Sequence, residues 1–140
     1  MKSILILFGL ALFCLGVSAK EKEALQQYGV TRDTVATSGT VYMYLDGIGT
    51  QKTLTIMPYA VNISGTTGIA CTLSAWNGYY WIPLTTTNCA DLTASMDTIT
   101  LVTVVPNIWV IKANAEKYRV KFTASGATQN SAIGATYTVK

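Results

Sequence analysis

The stretch Ile69 to Leu84 reads IACTLSAWNGYYWIPL. Two runs of β-favouring residues flank Asn77-Gly78, whose tolerance of positive φ suits a two-residue type I′ hairpin turn. In the first arm Cys71, Leu73 and Ala75 alternate with Thr72, Ser74 and Trp76. In the second, Tyr80, Ile82 and Leu84 alternate with Tyr79, Trp81 and Pro83. A period of two sends one set of side chains into a core and the other to the opposite face. The hairpin carries two of the three Trp residues of the chain.

The same period runs outward from this centre. Upstream, Val41, Met43 and Leu45 alternate with Tyr42 and Tyr44, and Asp46-Gly47 marks a turn. Gln51 to Ile63 forms a longer strand in which Pro58 calls for an edge position, a bulge or a break. Downstream come Thr98 to Val105, Ile108 to Lys112, Lys117 to Ala124 and Ala132 to Lys140. Lys117 to Ala124 is the cleanest of these, with Tyr118, Val120 and Phe122 inward and Lys117, Arg119 and Lys121 on a solvated face. About 7–9 short strands with no βαβ spacing predict an all-β antiparallel sandwich.

The N-terminus has another character. Met1-Lys2-Ser3 precedes the apolar run Ile4 to Val17, and Val17-Ser18-Ala19 supplies small residues for cleavage. This layout predicts a secretory signal over residues 1–19, too short to span a bilayer comfortably. The predicted location is extracellular or cell-surface, with membrane contact only during export. Phe13 before Cys14 argues against a lipoprotein signal. Residues 20–39 then read as an N-terminal extension, and residues 40–140 as the sandwich domain.

Two Cys, Cys71 and Cys89, lie outside the leader. An exported chain favours a disulfide between them, worth about 3 kcal/mol in the loop-entropy picture; two buried thiols are the alternative. Asn62-Ile63-Ser64 is a sequon that marks Asn62 for a covalent glycan.

The chain has 140 residues, no His and a net charge of +3. Without His, the Ser-His and Cys-His nucleophile designs and most zinc sites are excluded. Asp91 and Asp97 share a polar loop but lack calcium-loop spacing. Gly47-Ile48-Gly49 precedes a strand, unlike a phosphate-binding loop. Neither an enzyme nor a cofactor is expected. Lys and Arg are too scattered for a nucleic-acid stripe. Trp76, Tyr79 and Trp81 share the face opposite Leu73, and three uses are open to them: packing, a protein interface or a sugar platform.

ACTLSAWNGYYWIPL, with the later TITLVTV, NIWVIKA and KYRVKFTASGATQ, resembles small Ig-like proteins encoded by environmental bacteria and their phages. The resemblance rests on Asn77 to Leu84 and Lys117 to Gln129, and implies a structural or surface-attached role without catalytic residues. A weaker resemblance is to pilin subunits, in which an N-terminal extension completes a neighbour's sheet. On that logic Tyr28, Val30 and Val35 are the inserted apolar residues of a subunit joint. The function expected is a secreted subunit of a homo-oligomeric extracellular fibre. The alternatives are a monomeric adhesin or glycan-binding module, or a virion decoration protein.

Overall fold

The computed structural model describes residues 21–26, 31–65, 68–92, 98–101, 107–125 and 129–140. Among them are eleven strands and no helix. They are β1 (Lys22–Glu23), β2 (Leu25–Gln26), β3 (Asp33–Ala36), β4 (Thr40–Leu45), β5 (Thr53–Gly65) and β6 (Ile69–Trp76). β7 (Trp81–Pro83), β8 (Ile99–Leu101), β9 (Trp109–Lys112), β10 (Tyr118–Ala124) and β11 (Gln129–Val139) complete the set. Two antiparallel sheets result. The first runs β1-β11-β5-β9, with β3 also on β11; the second runs β2-β4-β10-β6-β7, with β8 also on β6. The expected β-sandwich is therefore the fold.

The core lies between the sheets and follows the alternation. Tyr118, Val120 and Phe122 of β10 are fully buried, opposite Leu45, Met43 and Val41 on one side and Ala75, Leu73 and Cys71 on the other. Ile56, Trp109, Ile111, Ile133 and Ala135 face them from the first sheet. Each large apolar side chain buried this way contributes about 1.5–3 kcal/mol. Pro58 falls just past Ile56, where β9 stops pairing with β5. A missing N–H is tolerated at such an edge.

Residues 20–39 were expected to stand apart from the domain. Their described part does not. β1 pairs with β11 at Tyr137 and Thr136, and β3 pairs with β11 from Asn130 to Ile133, end to end along one edge. β2 crosses to the other sheet and pairs with β4. The crossing point, Ala24, is fully buried, and its N–H donates to Ala135 O at 2.8 Å. Val35, expected in a subunit joint, is instead 1% exposed in the chain's own core. It sits there because β3 pairs Val35 with Ser131 on the inward face of β11. Tyr28, Val30 and residues 1–19 lie outside the described residues.

The expected disulfide is also corrected, since Cys71 and Cys89 are both buried free thiols. Cys71 lies on the inward face of β6, paired with Phe122 of β10 and Ile99 of β8, whereas Cys89 lies in the loop after β7, and both side chains pack in the apolar core. Burial pushes the Cys71 thiol far above its ordinary value, so little reactive thiolate forms. Without reductant, both thiols should resist iodoacetamide in the native protein and both should alkylate in denaturant. Mass spectrometry that finds the pair unmodified in denaturant until reductant is added would overturn this.

Tyr118 ties the start of β10 to the turn before it. Its hydroxyl accepts from Asn114 N (2.9 Å) and Ala115 N (3.1 Å) and donates to Asn114 Oδ1 (3.1 Å). A tyrosine at this corner of a sandwich has the same use in immunoglobulin domains. Burial pushes its pKa above the ordinary 10.0, and the two N–H donors pull against that. Burial likewise raises Tyr137. With the folded-state value above the unfolded one, stability is retained below about pH 10 and lost as pH rises past it. Tyr118→Phe should cost about 1 kcal/mol at pH 7 and show a shallower alkaline loss than the parent in urea melts from pH 7 to 11.

Candidate functional site

The outward face of the second sheet carries the candidate site. β10 turns Arg119 and Lys121 away from the core, Lys117 is exposed just before it, and β4 turns Tyr42 and Tyr44 outward in the same way. Register places Arg119 between Tyr44 and Ser74, and Lys121 between Tyr42 and Thr72. On the far side, Trp76 of β6 pairs with Trp81 of β7.

That pairing revises the expected turn. A two-residue loop would set Trp76 opposite Tyr79. The loop instead has four residues, Asn77 to Tyr80, because Asn77 closes it with its side chain. Asn77 Oδ1 accepts from Tyr79 N (2.9 Å) and Tyr80 N (2.8 Å). Gly78 alone in this loop has a positive φ, of 99°, so the type I′ requirement at both positions is not met. The slip is by two residues, and a slip of two preserves the face. Trp76 and Trp81 are therefore brought together as expected. Tyr79 is left at the loop tip, 87% exposed.

Trp81 organises the aromatic residues. Its ring centroid is 5.3 Å from Trp76 and 5.6 Å from Tyr44, at interplanar angles of 52° and 59°. β7 and β4 are three positions apart in the sheet, so these side chains lean over the strands between them. The Arg119 guanidinium lies 4.4 Å from the Tyr42 ring and 4.7 Å from the Trp81 ring. Such cation–π contacts are worth about 0.5–2 kcal/mol each. Arg119 is thus not the solvated residue that alternation implied; its Nε is buried and has no hydrogen-bond partner among the described residues. Tyr42, Tyr44 and Arg119 were not singled out as site residues. The signal available was the outward parity of two tyrosines on one short strand.

The cluster opens into a groove. One depression of about 320 Å³ is lined by Tyr44, Asp46, Trp76, Trp81 and Lys117. A second, of about 490 Å³, is lined by Asp46, Gly47, Gly49, Glu116 and Lys117. They adjoin at Asp46 and Lys117, which line both. The far wall of the groove is anchored from three directions. Ile48 is buried, its N–H donates to Glu116 O (3.3 Å), and Tyr137 Oη donates to Asp46 O (3.2 Å). Gly47 and Gly49, at φ 65° and 72°, have open space where a Cβ would stand. A ligand can approach the backbone there.

The remaining sequence candidates lie elsewhere. Asn62 is exposed on β5, with Nδ2 donating to Gly65 O at 2.8 Å. Asp91 Oδ2 accepts from Lys112 N at 2.6 Å and so closes the outer edge of β9. Asp97 is outside the described residues. Among the described residues no three His, Cys, Asp or Glu are grouped to hold a metal ion.

No family model and no curated protein matches the chain. Among solved structures it is similar to the CBM22-1–GH10 modules of endo-1,4-β-D-xylanase 10B from Clostridium thermocellum, complexed with xylohexaose. That likeness has 15% identity and a TM-score of 0.40, and covers 90% of this chain and 25% of that one. It is also similar to dimeric latent PorU from Porphyromonas gingivalis, with 14% identity and a TM-score of 0.33, over 89% of this chain and 13% of that one. The chain spans a quarter or less of the length of either structure.

Proposed function

We propose that this chain is an exported, non-catalytic saccharide-binding module whose ligand lies in the groove between Trp81 and Gly49. The observation that carries this reading is the groove's composition. Three aromatic rings, from Tyr44, Trp76 and Trp81, sit beside a carboxylate acceptor, Asp46, and an ammonium donor, Lys117. A sugar presents the matching pair of surfaces. Its C–H faces pack on aromatic rings, and its hydroxyls exchange hydrogen bonds with charged groups at the rim. Convergent polar groups around an apolar floor are the usual make-up of a ligand site. The leader-like N-terminus supports an extracellular location.

The fibre reading receives less support. β-strand addition requires a donor strand that is free to leave its own fold. β1 and β3 instead pair with β11 of the same chain. The test is a glycan array probed with the intact chain and with Trp81→Ala. Binding that depends on Trp81 is the expected result. Retention on a glycan that is indifferent to Trp81 removes the assignment.

A further inference from the structure

Resting on the saccharide reading, we infer the class of ligand: a single, neutral polysaccharide chain gripped along its length, in preference to an acidic glycan or the flat face of a crystalline one.

Three features lead there. The first is ring orientation. A crystalline polysaccharide surface is matched by coplanar rings, but Trp81 is tilted by 52° from Trp76 and 59° from Tyr44. Rings set at such angles share no plane on which a flat crystalline face could lie, which leaves a single chain as the ligand.

The second is the groove's course. Trp76 N donates to Lys117 O at 3.0 Å. Asp46 lies one residue beyond the Tyr118–Leu45 pair on β4. Two strand spacings, about 10 Å, therefore separate Trp76 from Asp46 at the backbone. Gly47, Gly49 and Glu116 carry the groove farther. Both depressions are open to solvent. A site longer than one sugar ring and closed at neither end holds an internal segment of a chain, with an aromatic subsite at Trp76–Trp81 and a polar one at Asp46–Glu116.

The third is charge. Arg119 lies against the faces of Tyr42 and Trp81 and is not among the lining residues, and neither is Lys121. Lys117 does line the groove, but Asp46 and Glu116 line it too. An anionic sugar would meet two carboxylates there. A neutral one finds acceptors and a donor for its hydroxyls.

The test is isothermal titration calorimetry of the full chain at pH 7 against neutral gluco-, xylo- and manno-oligosaccharides of one to six units, and against oligogalacturonates. A pull-down on microcrystalline cellulose accompanies it, and each probe is repeated with Trp81→Ala and Asp46→Asn. The expected result is that one neutral series binds, gaining about tenfold from disaccharide to tetrasaccharide. Trp81→Ala weakens that binding by about 30-fold or more, and Asp46→Asn by about tenfold. Trp81-dependent binding of oligogalacturonates alone overturns the neutral class and leaves the site standing. Trp81-dependent binding to microcrystalline cellulose without any soluble series overturns the single-chain inference. Binding that Trp81→Ala leaves unchanged, or no binding to any probe, overturns both the class and the site.

Discussion

Trp81→Ala is expected to lower affinity for a saccharide ligand by roughly 30-fold or more, the fold-change of an interface residue worth at least 2 kcal/mol. The size follows from what the side chain touches. Trp81 is within stacking range of Trp76 and Tyr44, and lies against the Arg119 guanidinium. It supplies ligand surface itself and also fixes the angle of its neighbours. Its loss removes the ring against which Trp76 and Tyr44 are packed, so their set orientation goes with the contact area. The fold should survive. Trp81 is only half-buried, and its two aromatic contacts and one cation–π contact total about 1.5–5 kcal/mol. That does not exceed the 5–15 kcal/mol typical of a domain. Trp81→Phe keeps a ring at the position and should recover most of the affinity. Arg119→Ala separates support from contact. Arg119 does not line the groove, so its removal should weaken binding only through the looser rings, by a smaller factor than Trp81→Ala. An affinity unchanged in Trp81→Ala, with unfolding midpoints showing both proteins folded, would falsify the assignment of this face.

What could be read from the sequence depended on how local the governing interaction is. Alternation is local, so β10 shows its inward residues in the sequence, as does the Cys71-Leu73-Ala75 face of β6. The turn was not, because Asn77 has two local options. It can enter the left-handed region, or it can stay out of it and cap Tyr79 and Tyr80 with its carboxamide. Two-residue parity then kept Trp81 on the face of Trp76 while Tyr79 left it. The disulfide failed for a longer-range reason. Sequence spacing brings Cys71 and Cys89 close along the chain, but where β6 and the loop after β7 each enter the core decides whether their sulfurs meet. The site was half visible. Trp76 and Trp81 belong to one hairpin, so their meeting is a local fact. Tyr42, Tyr44 and Arg119 join them only because β4 pairs with β10 and β10 with β6, and no residue in those strands announces its neighbour.

The N-terminal strands were the least legible part of the chain, and they carry the second large expectation. A chain starting at Gly39 should fail to fold cooperatively, whereas one starting at Lys20 should melt in a single sharp transition. β1, β2 and β3 are two to four residues long, too short for a period of two to register. Each takes its conformation from a strand already in place: β11 for β1 and β3, β4 for β2. Removing them uncovers one edge of β11 along two stretches and takes Ala24 and Val35 out of the core. It also bares Ile133 and Ala135, which are at most 1% exposed in the intact fold. The freed edge of β11 would be an unpaired template for another strand, the usual route to aggregation. Val35→Asp tests the same claim without shortening the chain. A carboxylate placed at this position would be buried in the apolar core, and a buried unpaired charge costs about 3–5 kcal/mol or more, enough to unfold many small domains. A separable extension predicts the opposite on both counts: an unchanged melting transition for the Gly39 chain and a neutral Val35→Asp. Urea melts followed by tryptophan fluorescence decide between the two, because Trp109 is fully buried in the core that Val35 helps to close.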